Sequence, residues 1–558
     1  MVGHHNCRGE VRYSTLRNST THLFSAIYGS VRFLILLATA STLLAGPSIT
    51  GVVNGASNIP PGLPNSGVAQ GSIIVIYGSG LGPASLVQAK TFPLPSTQGL
   101  SGTIVTASVG GVTTNCIMFY TSVSQVAVVL PSATPVGTGT LTVTYDGQSA
   151  SIPLQVLAAN WGTIALNGSG TGPAVVTDAN YVPITLVHPA APGQTLILWG
   201  TGLGPVAGDE TEPPAEVDLG TGVQVFVEGQ SAAVIYGGRS GSPGLDQINF
   251  TIPSGISGGC RTSIAVLLKG ITANVTTMAV APPGQSTCSD SVGILTSANL
   301  QKALSSGTLN TAGITLYRFG TNSDFVTADF YSYPVNTLTY SYGGSLGASV
   351  GSCTAYESLG SSVVVDPIQP PRLDAGANLT LTGPAGSKTI AATSIGDYSA
   401  ALGNAATYIE PGSFTVSNGN GGTGVGAFSQ NLTLSAPISI TNFPPAINRS
   451  QDLTVAWSSS SSFSAVSVFV VSGVPSASGT TSYVQFYCTA AASAGQLTIP
   501  SVILQLLPIN GYGSPGVAGA ALEIAGIAGT GFTVTGSPGL DAAVFDAFTY
   551  GGKVLKVQ

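Results

Sequence analysis

Hydrophobic residues along this chain occur in short runs that alternate with polar residues, and the runs end at Gly, Pro, Asn or Ser. Runs rich in Val, Ile and Thr with alternating polarity predict β-strands. One stretch, residues 297–305, has a helical pattern instead. In the second half, strands are predicted at residues 379–381, 413–416, 453–457, 465–471 and 483–487. The pattern as a whole predicts an all-β protein.

The first half contains an internal repeat. Residues 71–83 read GSIIVIYGSGLGP and residues 193–205 read GQTLILWGTGLGP, an offset of 122 residues. The same offset relates QVAVVLP at 125–131 to QINFTIP at 247–253. Two separate segments in one register indicate a duplicated unit.

Each repeat contains several strands separated by Gly- and Pro-rich turns, and it ends in an alternating strand at residues 141–145 or 263–268. Strands at this spacing are typical of a β-sandwich. We therefore predict two tandem immunoglobulin-like sandwiches at residues 50–157 and 158–285, followed by a β-rich C-terminal region.

The turn shared by the two repeats contains alternating glycines, which suggest a phosphate-binding loop as one alternative. A dinucleotide-binding fingerprint needs G-x-G-x-x-G between a strand and a helix, with an acidic residue about 20 positions later. Here a proline follows the glycines and no amphipathic helix comes next. We therefore interpret the turn as structural, with no cofactor, at Gly78, Gly80, Gly82, Pro83, Gly200, Gly202, Gly204 and Pro205.

The turn, the segment SPGLDQINFTIP at 242–253 and the segment LNGSGTGPAVV at 166–176 resemble a C-terminal domain of uncharacterised acidobacterial secreted proteins. That domain is related to the IPT/TIG immunoglobulin-like modules. The resemblance covers residues 158–285 well and residues 50–157 less fully, because the first copy lacks S-P-G-L-D. It implies an extracellular immunoglobulin-like fold and brings no catalytic residue.

Residues 286–340 have a less regular pattern, which predicts a linker that contains the short helix and is otherwise loosely strand-like. Residues 341–558 are again β-rich and fit one or two further sandwiches. Here LDAGANLTLTGP, VGAF and TGSPGLD resemble a second region of the same acidobacterial proteins, whose function is likewise unknown.

The N-terminus predicts export. Four arginines and one glutamate precede an apolar run at residues 33–45, which contains small residues suitable for cleavage. This arrangement is typical of a secretory signal, so residues 1–45 are interpreted as a signal peptide with a long basic region. The run is shorter than the ~20 residues that span a bilayer. His4, His5 and Cys7 lie in this segment and are given no role in metal binding.

The charge of the chain excludes several partners. Only 7% of the residues are charged, whereas about 25% is usual. Without residues 1–45, the 15 basic and 22 acidic residues fall to 11 and 21, a net charge of −10. Because no stripes of Lys and Arg are present to neutralise phosphates, nucleic acid and anionic membranes are not expected partners. No later apolar run is long enough to span a membrane.

Several short motifs look catalytic but lack their partners. Ser257 and Ser345 each lie in G-x-S-x-G, yet hydrolases with that motif need a later histidine. His188 is the last histidine of the chain and precedes both serines, so we interpret it as a loop or strand residue. Residues 383–389 resemble a phosphate-binding P-loop with the wrong spacing, which indicates a turn. A conventional zinc site is not expected with so few histidines.

Carboxylates remain as candidate catalytic or metal-binding groups. Five of them crowd one loop, at Asp209, Glu210, Glu212, Glu216 and Asp218. Calcium prefers such ligands, but the pattern of a calcium-binding loop is missing, which favours a solvated acidic loop. A glycosidase needs two carboxyls that face each other across a cleft, and the sequence neither establishes nor excludes such a pair.

Five cysteines follow the predicted signal, and export permits disulfides. Cys260 opens the last strand pair of the second sandwich and Cys288 lies just beyond its end, so we predict that they pair. Cys353 and Cys488 are then expected to pair in the C-terminal region, which leaves Cys116 buried and free in an apolar strand.

These observations predict a non-enzymatic exported protein with a role in a cell surface, a matrix or adhesion. The expected partner is a polysaccharide or another surface protein. Aromatic residues at 331–342 and 545–550 offer stacking surfaces for sugars, although packing in the core explains them equally well. The alternative is a carbohydrate-active enzyme or a carbohydrate-binding accessory protein. Fold alone does not choose between them, because sandwiches host both roles.

Overall fold

A computed structural model describes residues 46–319, 323–339, 347–360, 369–403, 407–458, 463–475, 479–514, 516–535 and 539–558. About 53% of these described residues are in strands and 4% are in helices, which confirms the all-β prediction. The predicted signal peptide lies outside the described residues, and so does Ser345.

The first sandwich contains strands β1 (Ser48–Asn54), β2 (Val68–Ala69), β3 (Ile73–Ser79), β4 (Val87–Gln88), β5 (Thr103–Val109), β6 (Val112–Asn115), β7 (Ile117–Thr121), β8 (Gln125–Val129), β9 (Gly137–Tyr145) and β10 (Gln148–Leu157). One sheet has the order β1-β3-β8-β7-β4 and the other has the order β2-β10-β9-β5-β6. These orders contain the A-B-E-D and G-F-C arrangements of an immunoglobulin fold.

The second sandwich contains β11 (Gly162–Thr163), β12 (Val176–Thr177), β13 (Thr195–Thr201), β14 (Val223–Val227), β15 (Gln230–Arg239), β16 (Asp246–Thr251), β17 (Gly259–Leu268), β18 (Ile271–Thr272) and β19 (Thr276–Val280). The register of β13 on β16 repeats that of β3 on β8. Tyr77 lies opposite Gln125, and Trp199 lies opposite Gln247 at the same offset of 122 residues. The two sandwiches therefore share the strand pairing that the duplication predicts.

The C-terminal region begins with helix α1 (Ser297–Ser306), close to the predicted helix. The Thr296 side chain accepts a hydrogen bond from the amide of Asn299 at the start of the helix, and Gly307 ends it with a φ of 81°. These are the residue types that favour helix ends. A 3-10 turn (Ala492–Ala494) and a short helix α2 (Ser501–Leu504) follow later.

Seventeen strands complete the described chain: β20 (Thr308–Phe319), β21 (Ser323–Pro334), β22 (Cys353–Leu359), β23 (Asn378–Gly383), β24 (Gly386–Ser394), β25 (Asp397–Gly403), β26 (Gly412–Ser417), β27 (Ser429–Leu434), β28 (Ala446–Ile447), β29 (Leu453–Ala456), β30 (Ala465–Pro475), β31 (Thr481–Ala491), β32 (Gln496–Ile499), β33 (Tyr512–Ser514), β34 (Val517–Ala518), β35 (Ala520–Val534) and β36 (Leu540–Val557). Fifteen of them form one sheet, whose main path is β22-β31-β30-β35-β36-β20-β21-β25-β24-β23-β26-β27.

The linker predicted for residues 286–340 is wrong in its second half. Strands β20 and β21 lie inside the C-terminal sheet, where β20 pairs in parallel with β36 and β21 pairs with β25. Buried and partly exposed residues alternate along β21. The long strand β36, which pairs with β20, lies about 230 residues later in the sequence. A pattern read locally does not show such a distant partner.

The C-terminal sheet curls so that β27 contacts β35 and β36. One face of β20, β30, β35 and β36 therefore contributes to a large core, which includes Phe330, Phe414, Phe486 and Phe545. Side chains at alternate positions lie on the other face, because successive residues of a strand point to opposite sides. Within the described residues, no helix is long and apolar enough to cross a membrane.

Candidate functional site

Both disulfides predicted from the sequence are present. Cys260 pairs with Cys288 at a Cα–Cα distance of 5.0 Å, and Cys353 pairs with Cys488 at 4.0 Å. Cys116 is buried and free, and burial raises the pKa of its thiol to about 12. Because the thiolate is the reactive form of cysteine, Cys116 is suited to packing in the core of the first sandwich.

The repeated glycine turns are structural. A Cβ atom at Gly78 would lie 1.9 Å from the carbonyl oxygen of Ser48, and one at Gly202 would lie 2.1 Å from that of Asn160. Gly80 and Gly202 also have φ values of 64° and 107°, in the left-handed region that favours glycine. Space and backbone conformation therefore explain the glycines without a bound phosphate.

The turn of the second repeat joins the two sandwiches. The buried carboxylate of Asp246 accepts hydrogen bonds from the amides of Gly202 and Leu203, at 2.8 and 2.9 Å. Arg239, 3.0 Å from Asp246, donates to the carbonyl oxygens of Gly204 at 2.9 Å and of Gly71, in the first sandwich, at 2.7 Å. The motif S-P-G-L-D therefore supplies an acid that holds a contact between the sandwiches.

The acidic loop at residues 209–218 also contacts the first sandwich, so the expectation of a purely solvated loop is wrong for part of it. Glu210 accepts hydrogen bonds from the amide and the hydroxyl of Ser132, both at 2.7 Å. Asp209 accepts two hydrogen bonds from Thr211 within the loop. Among the described residues there is no group of three or more His, Cys, Asp or Glu side chains suited to a metal ion.

The other motifs lie in turns and loops. Residues 383–389 include the hairpin turn between β23 and β24, where Gly383 lies opposite Gly386, and the first residues of β24. Ser257 lies in the loop before β17, and its amide donates to Glu228 at 2.9 Å. His188 is exposed in a turn next to Thr185. None of these described groups has the partners that catalysis at such a motif requires.

A groove of about 450 Å³ lies on the face of the C-terminal sheet opposite its core. We call it the aromatic groove, since its floor includes Tyr317 from β20, Tyr487 from β31, and Phe548 and Tyr550 from β36. The pairing of β20 with β36 places Tyr317 directly opposite Phe548. Neighbouring strands thus bring together residues that are far apart in the sequence.

The rings of three groove residues have nearly parallel planes. The Tyr317 and Phe548 centroids are 5.7 Å apart with an interplanar angle of 14°, and those of Phe548 and Tyr550 are 6.3 Å apart with an angle of 11°. Next to them, Tyr487 stacks on Phe469 with centroids 4.6 Å apart. All of these side chains are partly exposed.

Polar side chains make up about half of the groove lining, and one of them is a carboxylate. Asp546 is the one acidic residue among the described residues of the lining. Burial raises the pKa of this carboxyl to about 7, although a hydrogen bond from Thr315 lowers it. Its Oδ1 atom has no hydrogen-bond partner among the described residues. Ser464, Ser467 and Thr489 supply hydroxyl groups to the same lining.

One wall of the groove is fixed by the disulfide at Cys288. Residues 291–294 line the groove shortly after this cysteine. Asp290 accepts hydrogen bonds from the amide of Cys260 at 2.9 Å and from the Ser349 hydroxyl at 2.5 Å. It also pairs with Arg261 at 3.5 Å. The disulfide and Asp290 therefore hold the same segment against the second sandwich.

The sequence indicated part of this site. Of the two predicted aromatic segments, residues 545–550 contribute Phe548 and Tyr550, while Phe545 is in the core. The segment at 331–342 is outside the groove: Arg372 lies over the Tyr331 ring at 4.8 Å, and residues 340–342 are not among those described. The sequence pattern did not indicate Tyr317 or Asp546 as residues of a binding site. Alternation along β36 is the available signal for Asp546, since it shares a face with Phe548.

Comparison with known proteins adds little to this geometry. No protein-family model and no curated protein matches the chain. Three similar solved structures are the chicken CNTN1 FN1-FN3 domains, the S-layer protein rSbsC and SGBP-B from a complex xyloglucan utilization locus in Bacteroides uniformis.

The CNTN1 structure is 9% identical and covers 68% of this chain and 97% of its own, with a TM-score of 0.14. The S-layer structure is 12% identical and covers 92% and 54%, with a TM-score of 0.20. SGBP-B is 12% identical and covers 80% and 86%, with a TM-score of 0.14.

Proposed function

We propose that this is an exported, non-enzymatic binding protein of a cell surface or matrix, and that it holds carbohydrate in the aromatic groove. The observation that carries the proposal is the set of three nearly parallel rings, Tyr317, Phe548 and Tyr550, in a groove of about 450 Å³. The C–H groups of a sugar ring form an apolar face that packs on aromatic rings, and hydroxyl groups nearby orient it. The two disulfides support a location in an oxidising compartment.

The lining favours binding over hydrolysis. Glycosidases use two carboxyls about 5–10 Å apart on either side of the bond that is cleaved. Asp546 is the one carboxylate of the described lining. A single acid without a second, opposed carboxyl suits the recognition of a hydroxyl or an amino group.

The test is retention on a panel of immobilised polysaccharides together with an assay for released reducing ends. Retention without release is expected for the wild-type protein. Tyr317→Ala and Phe548→Ala are each expected to weaken retention about tenfold, as the loss of a stacking ring costs ~1–1.5 kcal/mol.

Tyr181→Ala is the matched control. Tyr181 is 64% exposed and contacts Trp199 in the second sandwich, so this variant removes an exposed aromatic ring outside the groove. Unchanged binding of the two groove variants would contradict the proposed site. Release of reducing ends that disappears in Asp546→Asn would contradict the absence of catalysis.

A further inference from the structure

The aromatic groove contains a carboxyl group, that of Asp546, which no basic side chain of the described lining is placed to pair with. Arg261 is the one basic residue of that lining, and it pairs with Asp290 at 3.5 Å. Asp546 lies on the same floor as the parallel rings and keeps one oxygen without a hydrogen-bond partner among the described residues. A buried carboxylate normally has a hydrogen-bonded or charged partner. A hydrogen-bond donor on a ligand can therefore pair with the free Asp546 oxygen.

Space for that partner is present beside Asp546. On β35, Gly529 lies opposite Asp546 and Gly531 lies opposite Val544, and both glycines are exposed. A Cβ atom at Gly529 would lie 3.3 Å from the Asp546 Cβ, whereas one at Gly531 would find no atom closer than 3.8 Å. Glycine on this strand thus leaves room for a ligand group next to the carboxylate.

The aromatic rings that line the groove with Asp546 also favour a positively charged ligand group. The face of an aromatic ring carries partial negative charge and attracts cations within about 6 Å. Tyr317, Phe548 and Tyr550 line the same groove as Asp546, and Phe548 lies two residues further along β36. A carboxylate and aromatic rings in one partly desolvated groove form the combination that recognises an ammonium group.

We infer that the carbohydrate bound in the aromatic groove carries free amino groups, and that Asp546 is the residue that selects them. This inference rests on the proposed function of the groove. The ammonium of an amino sugar would donate to the free Asp546 oxygen while its ring packs on the aromatic floor. A uronic acid would bring a carboxylate next to the Asp546 carboxyl, where no ammonium group pairs with either, and is not expected to bind.

Binding of an ammonium group is then coupled to the release of a proton from Asp546. At pH 6 the unliganded Asp546 carboxyl is mostly protonated, because burial raises its pKa to about 7. An ammonium group stabilises the ionised form, so binding releases this proton. The other titratable groups of the groove lining are Tyr317, Tyr487, Tyr550 and the paired Arg261, and Glu523 lies outside the lining but interacts electrostatically with Tyr487 and Tyr550. Burial raises the pKa values of these tyrosines, which remain neutral at this pH.

The experiment is calorimetric titration of the full protein with four hexasaccharides: β-1,4-linked glucosamine, its N-acetylated form, β-1,4-linked glucose and galacturonic acid. At pH 6 we expect the glucosamine hexamer to bind about tenfold or more tightly than the two neutral hexamers, from one added charge interaction. The galacturonate hexamer is not expected to bind. Titrations in two buffers of different ionisation enthalpy should show proton release with glucosamine alone.

Asp546→Asn is expected to remove the preference and the proton release while neutral hexamers still bind. Asp146→Asn is the control, with the same change of charge in an exposed turn of the first sandwich. Because proton release is measured on the wild-type protein, the test does not depend on the folding of a variant. Equal binding of neutral and amino hexamers would overturn the inference and leave the proposed function standing. Binding of none of the four would count against both.

Discussion

Glu357 is a buried acid at the edge strand β22, where the first sandwich meets the C-terminal sheet. It is 8% exposed, and its Oε1 accepts a hydrogen bond from Asn65 at 3.4 Å. Its Oε2 and the Asn65 Oδ1 both lack a hydrogen-bond partner among the described residues. Burial raises the pKa of Glu357 to about 7. The neutral acid, which can donate a hydrogen bond, is therefore the form that suits this contact.

The first prediction follows from this pKa. The folded value of about 7 exceeds the unfolded value of ~4.3, so the folded state holds an extra proton between these values. Stability then falls as the pH rises from about 4 to 7 and stays lower above that range. Glu357→Gln should be more stable than wild type at pH 8, on the order of 3 kcal/mol, and nearly equal at pH 4.5.

Denaturant unfolding at the two pH values measures this difference. Glu212→Gln, which removes a carboxylate in an exposed loop, is the control and should match wild type at both. If Glu357→Gln instead lowered the free energy of unfolding at pH 8, the ionised carboxylate would be favourable at this contact.

At the scale of elements, the two disulfides differ in the length of the loop that they close and in their distance from the aromatic groove. Cys353 and Cys488 lie opposite each other in β22 and β31 and close a loop of 135 residues, whereas Cys260 and Cys288 close one of 28 residues next to the groove wall. In the chain-entropy model the longer loop contributes about 5 kcal/mol and the shorter about 3–4 kcal/mol. Stability and ligand binding should therefore respond differently to their removal.

The second prediction separates the effects of the two disulfides. Cys353→Ala with Cys488→Ala should lower the unfolding midpoint more than Cys260→Ala with Cys288→Ala. The second double variant should lose more affinity for the groove ligand, because residues 291–294 are no longer tethered. Calorimetric unfolding and titration measure the two effects. Equal loss of affinity in both double variants would show that the tether does not shape the groove.

Elements also show how far the sequence alone leads. The offset of 122 residues predicts the pairing of β13 with β16 from that of β3 with β8, because each strand pair is local to its repeat. The aromatic groove cannot be predicted from the repeat, because its strands are distant in the sequence. Alternation places Asp546 and Phe548 on one face of β36, but the neighbour β20 comes from residues 308–319. Periodicity gives the face of a strand and leaves its distant neighbours open.

On the scale of the whole molecule, the sandwiches are joined by polar contacts at the repeated turns. Asn54 in β1 donates to the carbonyl oxygen of Asn160 at 3.1 Å, and the amide of Ile73 donates to the Thr201 hydroxyl at 2.9 Å. Arg239 is the charged member of this contact and is 1% exposed. The two copies of the repeat are thus held together by hydrogen bonds between the turn region of the second copy and the first strands of the first copy.

The last prediction concerns this docking. Arg239→Met leaves the Asp246 carboxylate buried without its ion partner and the Gly71 carbonyl without a donor, at a cost of about 3–5 kcal/mol. Amide hydrogen exchange over residues 70–73 should become faster in this variant. Arg318→Met is the matched control, since it breaks the 2.8 Å ion pair with Asp324 inside the C-terminal sheet and should leave exchange at 70–73 unchanged. Adding Asp246→Asn to Arg239→Met should restore part of the stability, because the uncompensated charge is removed. If the double variant instead lost the sum of the two single effects, Arg239 and Asp246 would contribute to stability independently, and an uncompensated Asp246 charge would not be the cause of the loss in Arg239→Met.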